Sequence, residues 1–419
     1  MAADQDPLSE PGFGAQQKTS GALVALQEHR GGDGVEPRPG GPEGCRVWAR
    51  VPALEPPSDL RVPKHAKYMG RSACCALVAL KEAVRSAGLD PRGVDPYRVA
   101  VLAGSGETGL SYEEFFPALD HAWRDGGARD LGLLGARAAR LVDPYFSLRS
   151  LANGPAALAA IELGVHGPSR NYVQGVTASA HALAAACEQL CDGLVDVAIV
   201  IGCDALTGSA PARAHHEAGL VSHQAPPRAG VPFDRDRDGY VLGEAGAALV
   251  LERAPDARRR GAPALAEVAG VGFATVARGP SREGSVDALR TAARAALAGR
   301  SERPAVSIAH GDATREGGAR ELAGLTAVLG AGVPITAATG ATGFVGAATP
   351  VLQVVLATCV LRTGDVPAVA GLVDPEPTPL DLVQGPRRLP VPRGLLVIGL
   401  THGFSGEHAA IAIGEVPPC

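Results

Sequence analysis

Apolar residues recur at helical spacing between Gly70 and Gly88, and Gly88 is placed to cap the helix they predict. An unbroken apolar run at residues 99–102 then reads as a buried strand, ending at Gly104-Ser105-Gly106. Residues 111–122, SYEEFFPALDHA, read as a loop or short helix broken at Pro117. Alanine-rich helices are expected over residues 153–164 and 177–191, and core strands over 196–202 and 243–251. Near Val268 the chain begins a second series. It holds strands at residues 306–308 and 334–336, a helix at 350–361, and strands at 395–400 and 409–413. Strand and helix alternate throughout, which argues for an α/β fold. Residues 1–44 stand apart, rich in Gly, Pro, Gln and charge without a sustained period, and predict a flexible or atypical leader.

A chain of 419 residues exceeds one ordinary core, so two domains or one large duplicated fold is expected. Hydrophobic residues make up 46% of it and the mean hydropathy is +0.09, enough to build a large core. Net charge −5 and a pI near 6.1 argue against nucleic acid as a main partner. The eight cysteines are Cys45, Cys74, Cys75, Cys187, Cys191, Cys203, Cys359 and Cys419. None forms a CxxC or Cys/His metal pattern, and Cys187 and Cys191, sharing a helix face, read as packing. No charged-then-apolar signal opens the chain, and no apolar run is long enough for a membrane span. The expectation is a cytoplasmic protein with free thiols, no metal and no cofactor.

Residues 167–183, GPSRNYVQGVTASAHAL, have the frame of a nucleophile turn. A β-prone segment turns through Gly175 into an Ala-rich helix that carries His181. Such a turn lifts one side chain above a strand end and aims a helix N-terminus at it, where N–H groups stabilise a thiolate or oxyanion. The segment resembles the active-site turn of the elongating β-ketoacyl-ACP synthases. Residues 232–252, PFDRDRDGYVLGEAGAALVLE, are similar to that family's Asp pair, its DG[FY]VxGEGAG run and the hydrophobic strand after it. The resemblance covers roughly residues 60–419. It places Val176 on the family's acylated cysteine, Thr177 just after it, and His181 on the helix histidine. A valine cannot be acylated.

The resemblance implies a thiolase-like fold, with two pseudo-repeated halves at residues 45–265 and 266–419 forming a five-layered αβαβα sandwich. In that family the cysteine takes the acyl chain, while two histidines bind the malonyl thioester and stabilise its enolate. Residues 309–321, AHGDATREGGARE, resemble AHGTxTxxGDxxE and place the first histidine at His310 and the supporting glutamate at Glu321. Asp312 there replaces a small hydroxyl residue and Gly318 an aspartate. Residues 337–349, AATGATGFVGAAT, correspond to KxxxGHxxGAAG, so the second histidine falls on Gly343 or Phe344 and the lysine is lost near Ala338. Residues 401–408, THGFSGEH, resemble a glycine-rich NSFGFGGTN loop, with His402 where the family has a gating phenylalanine.

Other groups could be asked to attack. Ser179 and Thr177 lie on the turn, although such residues at a helix start ordinarily cap backbone N–H groups. His181 has a structural role by default, and for His310 a structural and a working role both stand. His215-His216, without a Cys nearby to complete a metal site, reads as an exposed loop. Gln174 is of interest because decarboxylating relatives carry glutamine in place of the cysteine. It lies two residues early, against the match of Gly167-Pro168-Ser169 and His181.

The family holds a precedent for a chain without its cysteine: the chain length factor, the β subunit of type II polyketide synthases. The resemblance then implies a heterodimer with a cysteine-bearing ketosynthase subunit, across an interface near residues 171–176, and work on chains borne by an acyl carrier protein. Glu107, Thr108, Tyr112, Phe115 and Phe116 would line the acyl tunnel, with His402 as gate. Alternatively Phe115 and Phe116 anchor a short helix in the core. Two further classes stay open. One is a cysteine-less enzyme using His310, His402 or Ser179 for acyl transfer, hydrolysis or cyclisation; the other is a scaffold for a synthase or carrier protein.

Overall fold

The computed structural model describes residues 19–23, 35–37, 47–106, 115, 118, 130–262, 264–276, 282–389, 396–403 and 405–416. Seven strands build a first sheet: β1 (Thr19–Leu23), β2 (Val35–Pro37), β3 (Val47–Ala49), β4 (Val99–Ser105), β5 (Ser169–Tyr172), β6 (Val197–Ala205) and β7 (Leu242–Glu252). Strands β6, β4 and β5 run parallel, β7 is antiparallel to β6, and β1 is antiparallel to β7. The chain continues through β8 (Glu267–Thr275), β9 (Val306–Ala309), β10 (Pro334–Ala337), β11 (Asp365–Val366), β12 (Asp381–Leu382), β13 (Arg387–Arg388), β14 (Leu396–His402) and β15 (Glu407–Gly414). β11 and β13 form a small ribbon, and the other six make the second sheet. There β14, β9 and β10 are parallel, β15 is antiparallel to β14, and β8 is antiparallel to β15. The order β1-β7-β6-β4-β5 therefore repeats, strand for strand, as β8-β15-β14-β9-β10.

Six helices bury these sheets: α1 (Arg71–Ser86), α2 (Gly154–Leu163), α3 (Ala178–Cys191), α4 (Arg282–Ala296), α5 (Arg315–Leu329) and α6 (Thr349–Thr363). α3 and α6 lie between the sheets, where Leu183 and Leu190 meet Leu102, Val200, Leu249, Val351, Val355 and Ile411. α1 and α2 cover the outer face of the first sheet through Leu77, Leu80 and Leu158. α4 and α5 cover the outer face of the second through Leu289, Leu322 and Leu325. The central strands are thus buried on both faces, which is why they read as continuous apolar runs and every residue of β4 is buried. The result is the αβαβα sandwich of the thiolase-like folds.

Small residues set the spacing of these layers. A Cβ on Gly104 would lie 2.2 Å from the backbone nitrogen of Ser179, so α3 can rest on β4 only because that position is glycine. The stretch Gly346–Thr363 has the length and apolarity of a membrane span, contrary to the sequence expectation, but 78% of it is buried inside the sandwich. A helix buried all round is apolar all round.

Residues 19–23 pair with β7 at Thr19–Leu251, Ala22–Leu249 and Leu23–Ala248, and residues 35–37 pair with β3. A strand edge offers a row of unpaired N–H and C=O groups, which a short segment without alternation can satisfy through its backbone alone. At the end of α1, Gly88 does take the left-handed conformation expected of a cap, with φ +57°.

Candidate functional site

β5 stops at Tyr172, Gly175 turns the chain with φ +53°, and the 3-10 turn Gly175–Thr177 feeds α3. Val176 is buried at 5% exposure in an apolar cluster with Leu206, Tyr240, Leu242, Ala313 and Phe344. Gln174 is exposed instead, and its carbonyl accepts the N–H and hydroxyl of Thr177 at 3.2 and 3.0 Å. The expected capping by the two hydroxyls is corrected. Thr177 points back to Gln174, and Ser179 donates to the Ala347 carbonyl at 2.7 Å while accepting from Val351 N at 3.4 Å. Ser179 thereby ties α3 to the first turn of α6, because its helix start is buried against another one. His181 stacks on Phe273 with centroids 4.0 Å apart, and burial lowers its pKa, so the ring is neutral packing.

His310 follows β9 and is buried at 1% exposure. The N–H groups of His310 and Gly311 donate to the Glu321 carboxylate at 2.6 and 2.9 Å, so α5 fixes this loop from behind. Neither ring nitrogen of His310 has a hydrogen-bond partner, and burial, reinforced by His402, holds its pKa well below the ordinary value. The His402 ring stands edge-on to it, with centroids 4.7 Å apart, and its Nε2 is 3.6 Å from Glu321 Oε2. Burial alone would lower the pKa of His402, but Glu321 and then Asp312 outweigh it and raise it. Burial raises Asp312 and drives His408 down to about 4.

Of Gly343 and Phe344, the phenylalanine is the one whose side chain reaches His310, edge-on at 5.7 Å. Phe344 also stacks on Tyr240 at 4.4 Å, and the Tyr240 hydroxyl meets His215 Nδ1 at 2.5 Å. The expected exposed loop at His215-His216 is therefore corrected. Both lie in the helix Ser209–Glu217, and His215 is half-buried against Tyr240 and Phe344. This aromatic stack escaped the sequence reading because its members come from three separated segments. Only the DG[FY] motif hinted at Tyr240.

A cavity of about 440 Å³ opens beside the cluster, walled by Leu220, Asp312, Thr314, Arg320, His402 and His408 among others. Its wall reaches Glu321 and His402 but does not include Val176, His310 or Phe344. Of the expected tunnel residues, Glu107, Thr108, Tyr112 and Phe116 lie outside the described residues. Phe115 is half-buried and stacks on Phe146 at 6.2 Å. At the turn itself there is space for apolar packing and one neutral imidazole. There is no thiol, and the nearby hydroxyls are spent on backbone carbonyls.

A family profile described as "Beta-ketoacyl synthase, N-terminal domain" matches residues 43–257, more than half of the chain. This chain belongs to the beta-ketoacyl synthase family. Among curated members, it is 30% identical over 367 residues to the tetracenomycin polyketide synthase ketoacyl synthase alpha subunit of Streptomyces glaucescens, covering 84% of this chain and 83% of that one. It is 28% identical to nodulation protein E of Rhizobium sp. (strain N33), covering 84% of each. Among solved structures, the ishigamide ketosynthase/chain length factor matches with TM-score 0.80 at 24% identity, over 96% of this beta-ketoacyl synthase homologue and all (100%) of the other chain. A type II polyketide synthase acyl-carrier protein in complex with its ketosynthase, AntDE:AntF, matches with TM-score 0.79 at 21% identity, over 96% of this chain and 99% of that one. These structural likenesses establish the shared ketosynthase fold.

Proposed function

We propose that this chain is a catalytically silent ketosynthase-like subunit, a chain length factor. It pairs with a cysteine-bearing ketosynthase in type II polyketide or polyene biosynthesis and shapes the acyl tunnel that sets chain length. The observation that carries this reading is Val176, buried at the turn where the resemblance puts the acylated cysteine, with Phe344 packed in the same cluster and set against His310. Nothing at that position can hold a thioester, and loss of an activated nucleophile removes several orders of magnitude in rate.

Pairing has its own support. β5 is the last strand of the first sheet, and among the described residues no strand covers its outer edge. Such an edge is a template for a partner's backbone. Asn171 on β5 bonds Ser105, which also bonds the Ala152 carbonyl, so Leu151, at 48% exposure, lies by that edge. Val173, just beyond β5, is exposed as well. The ishigamide relative is a ketosynthase/chain length factor pair and the AntDE relative was solved with its acyl-carrier protein, which motivates both expected partners here.

The test is coexpression with a cysteine-bearing ketosynthase from the same gene neighbourhood. A single species of about twice the monomer mass is expected, since two chains of one fold can pair across a pseudo-twofold interface. The purified chain alone, given acyl- and malonyl-carrier protein, should yield neither ketoacyl product nor adduct at residue 176. Turnover by the isolated chain would refute the silent reading. The cavity that ends on His402 favours a second reading, in which the chain itself performs acyl transfer, hydrolysis or cyclisation. Thioester consumption by the isolated chain, abolished by His402→Gln, would favour that one.

A further inference from the structure

Glu407 opens β15, and its side chain folds back over the two glycine turns that border the candidate site. A Cβ on Gly175 would lie 2.6 Å from Glu407 Oε1, and one on Gly403 would lie 1.9 Å from it. The carboxylate thus rests against both glycines, and a side chain at either position would displace it. Its Oε2 is buried without a hydrogen-bond partner. Burial raises the Glu407 pKa, while its own N–H, that of Ser405 and the charge of His402 pull the other way. Val176 directly follows Gly175, so the carboxylate packs on the residue before position 176, in the turn that leads into α3.

The N-terminal end of a helix favours one negative charge. A second anion within about 4–6 Å of the first is disfavoured, because like charges oppose each other's ionisation. We infer that Glu407 is the resident anion of this turn, opposing a thiolate at residue 176 and repelling the carboxylate of an incoming malonyl thioester. This deepens the silent-subunit reading and rests on it. Besides losing a sulfur and an imidazole, the turn has gained a charge of the wrong sign. No motif pointed to Glu407, because its role comes from the contact with Gly175, which lies in the other half of the chain.

Val176→Cys makes the inference measurable. Alkylation of residue 176 by iodoacetamide would be followed by peptide mass spectrometry, which separates that thiol from the native ones. Three proteins are compared near neutral pH: V176C, V176C with E407Q, and V176C with E316Q. Removing a like charge at this range lowers a pKa by about one unit or more, and thiolate fraction rises while its intrinsic nucleophilicity falls somewhat. The E407Q pair should therefore react roughly three- to tenfold faster than V176C alone. The E316Q pair, which neutralises an exposed carboxylate on the cavity rim, should match V176C. Equal rates for V176C and the E407Q pair, or the same gain with E316Q, would overturn the inference. If the amide disturbs this packing, as seen by circular dichroism, Glu407→Thr supplies the same neutralisation and the same two outcomes apply. Failure of the silent reading has a separate signature, turnover by the unaltered chain.

Discussion

Asp204 lies buried at the end of β6, where its carboxylate accepts the N–H groups of Ala205 at 2.9 Å and Ala347 at 3.0 Å. Burial lifts its pKa to about 6, the two N–H bonds notwithstanding. The folded state therefore holds this proton more tightly than the unfolded chain does. Its contribution to stability is greatest at low pH and is lost as pH rises from about 4 to 6, amounting to roughly 3 kcal/mol for a shift of about two units. Asp204→Asn should remove that slope. The stability difference between wild type and variant, from urea unfolding at several pH values in that window, should move against the wild type as pH rises. A difference independent of pH would refute it. Ser179 is another buried polar group with a partner on each side. Ser179→Ala leaves the Ala347 carbonyl and Val351 N–H without it and should cost about 1–3 kcal/mol.

The long buried elements were legible at the level of elements. The strand over residues 99–102 and the helix over 350–361 are present, extended by a few residues at their ends. Runs buried on both faces announce themselves by composition. β1 and β2 were not legible, because TSGAL and VEP join the first sheet through backbone pairing and carry no alternation. Much of the site was visible as motifs, and Val176, His310 and Glu321 do gather around α3 and α5. The stack of His215, Tyr240 and Phe344, and the reach of Glu407 to Gly175, could not be read from spacing, since each joins distant segments. The edge element β5 yields a prediction of its own. Val173→Lys or Leu151→Glu, placing a charge on exposed apolar positions, should weaken the proposed heterodimer at least tenfold in titration calorimetry, since 1.4 kcal/mol is about a factor of ten. It should leave the thermal transition of the isolated chain nearly unchanged. A heterodimer of undiminished affinity would move the interface elsewhere.

At the scale of the whole molecule, chain length is the property the proposed pair would control. Phe115, stacked on Phe146, is the expected tunnel residue within the described structure. Phe115→Ala in the complex should let longer products appear, because a filled interior resists extra methylenes at a cost of about 1–3 kcal/mol. Unchanged products from a soluble complex would place the stop elsewhere, and loss of solubility would favour a core role for the ring.

The bond from Ser179 to Ala347 crosses the plane between the two repeated halves, and the two helices it joins share one apolar cluster. Neither half closes its own core. A gene cut between β7 and β8 would encode two fragments, each exposing the face the other should cover. Produced together they have every reason to reassemble; produced apart, to aggregate. On the proposed silent reading, the same arrangement lets a chain lose its chemistry and keep its shape, because the mid-plane that joins the halves does not depend on the side chain at position 176.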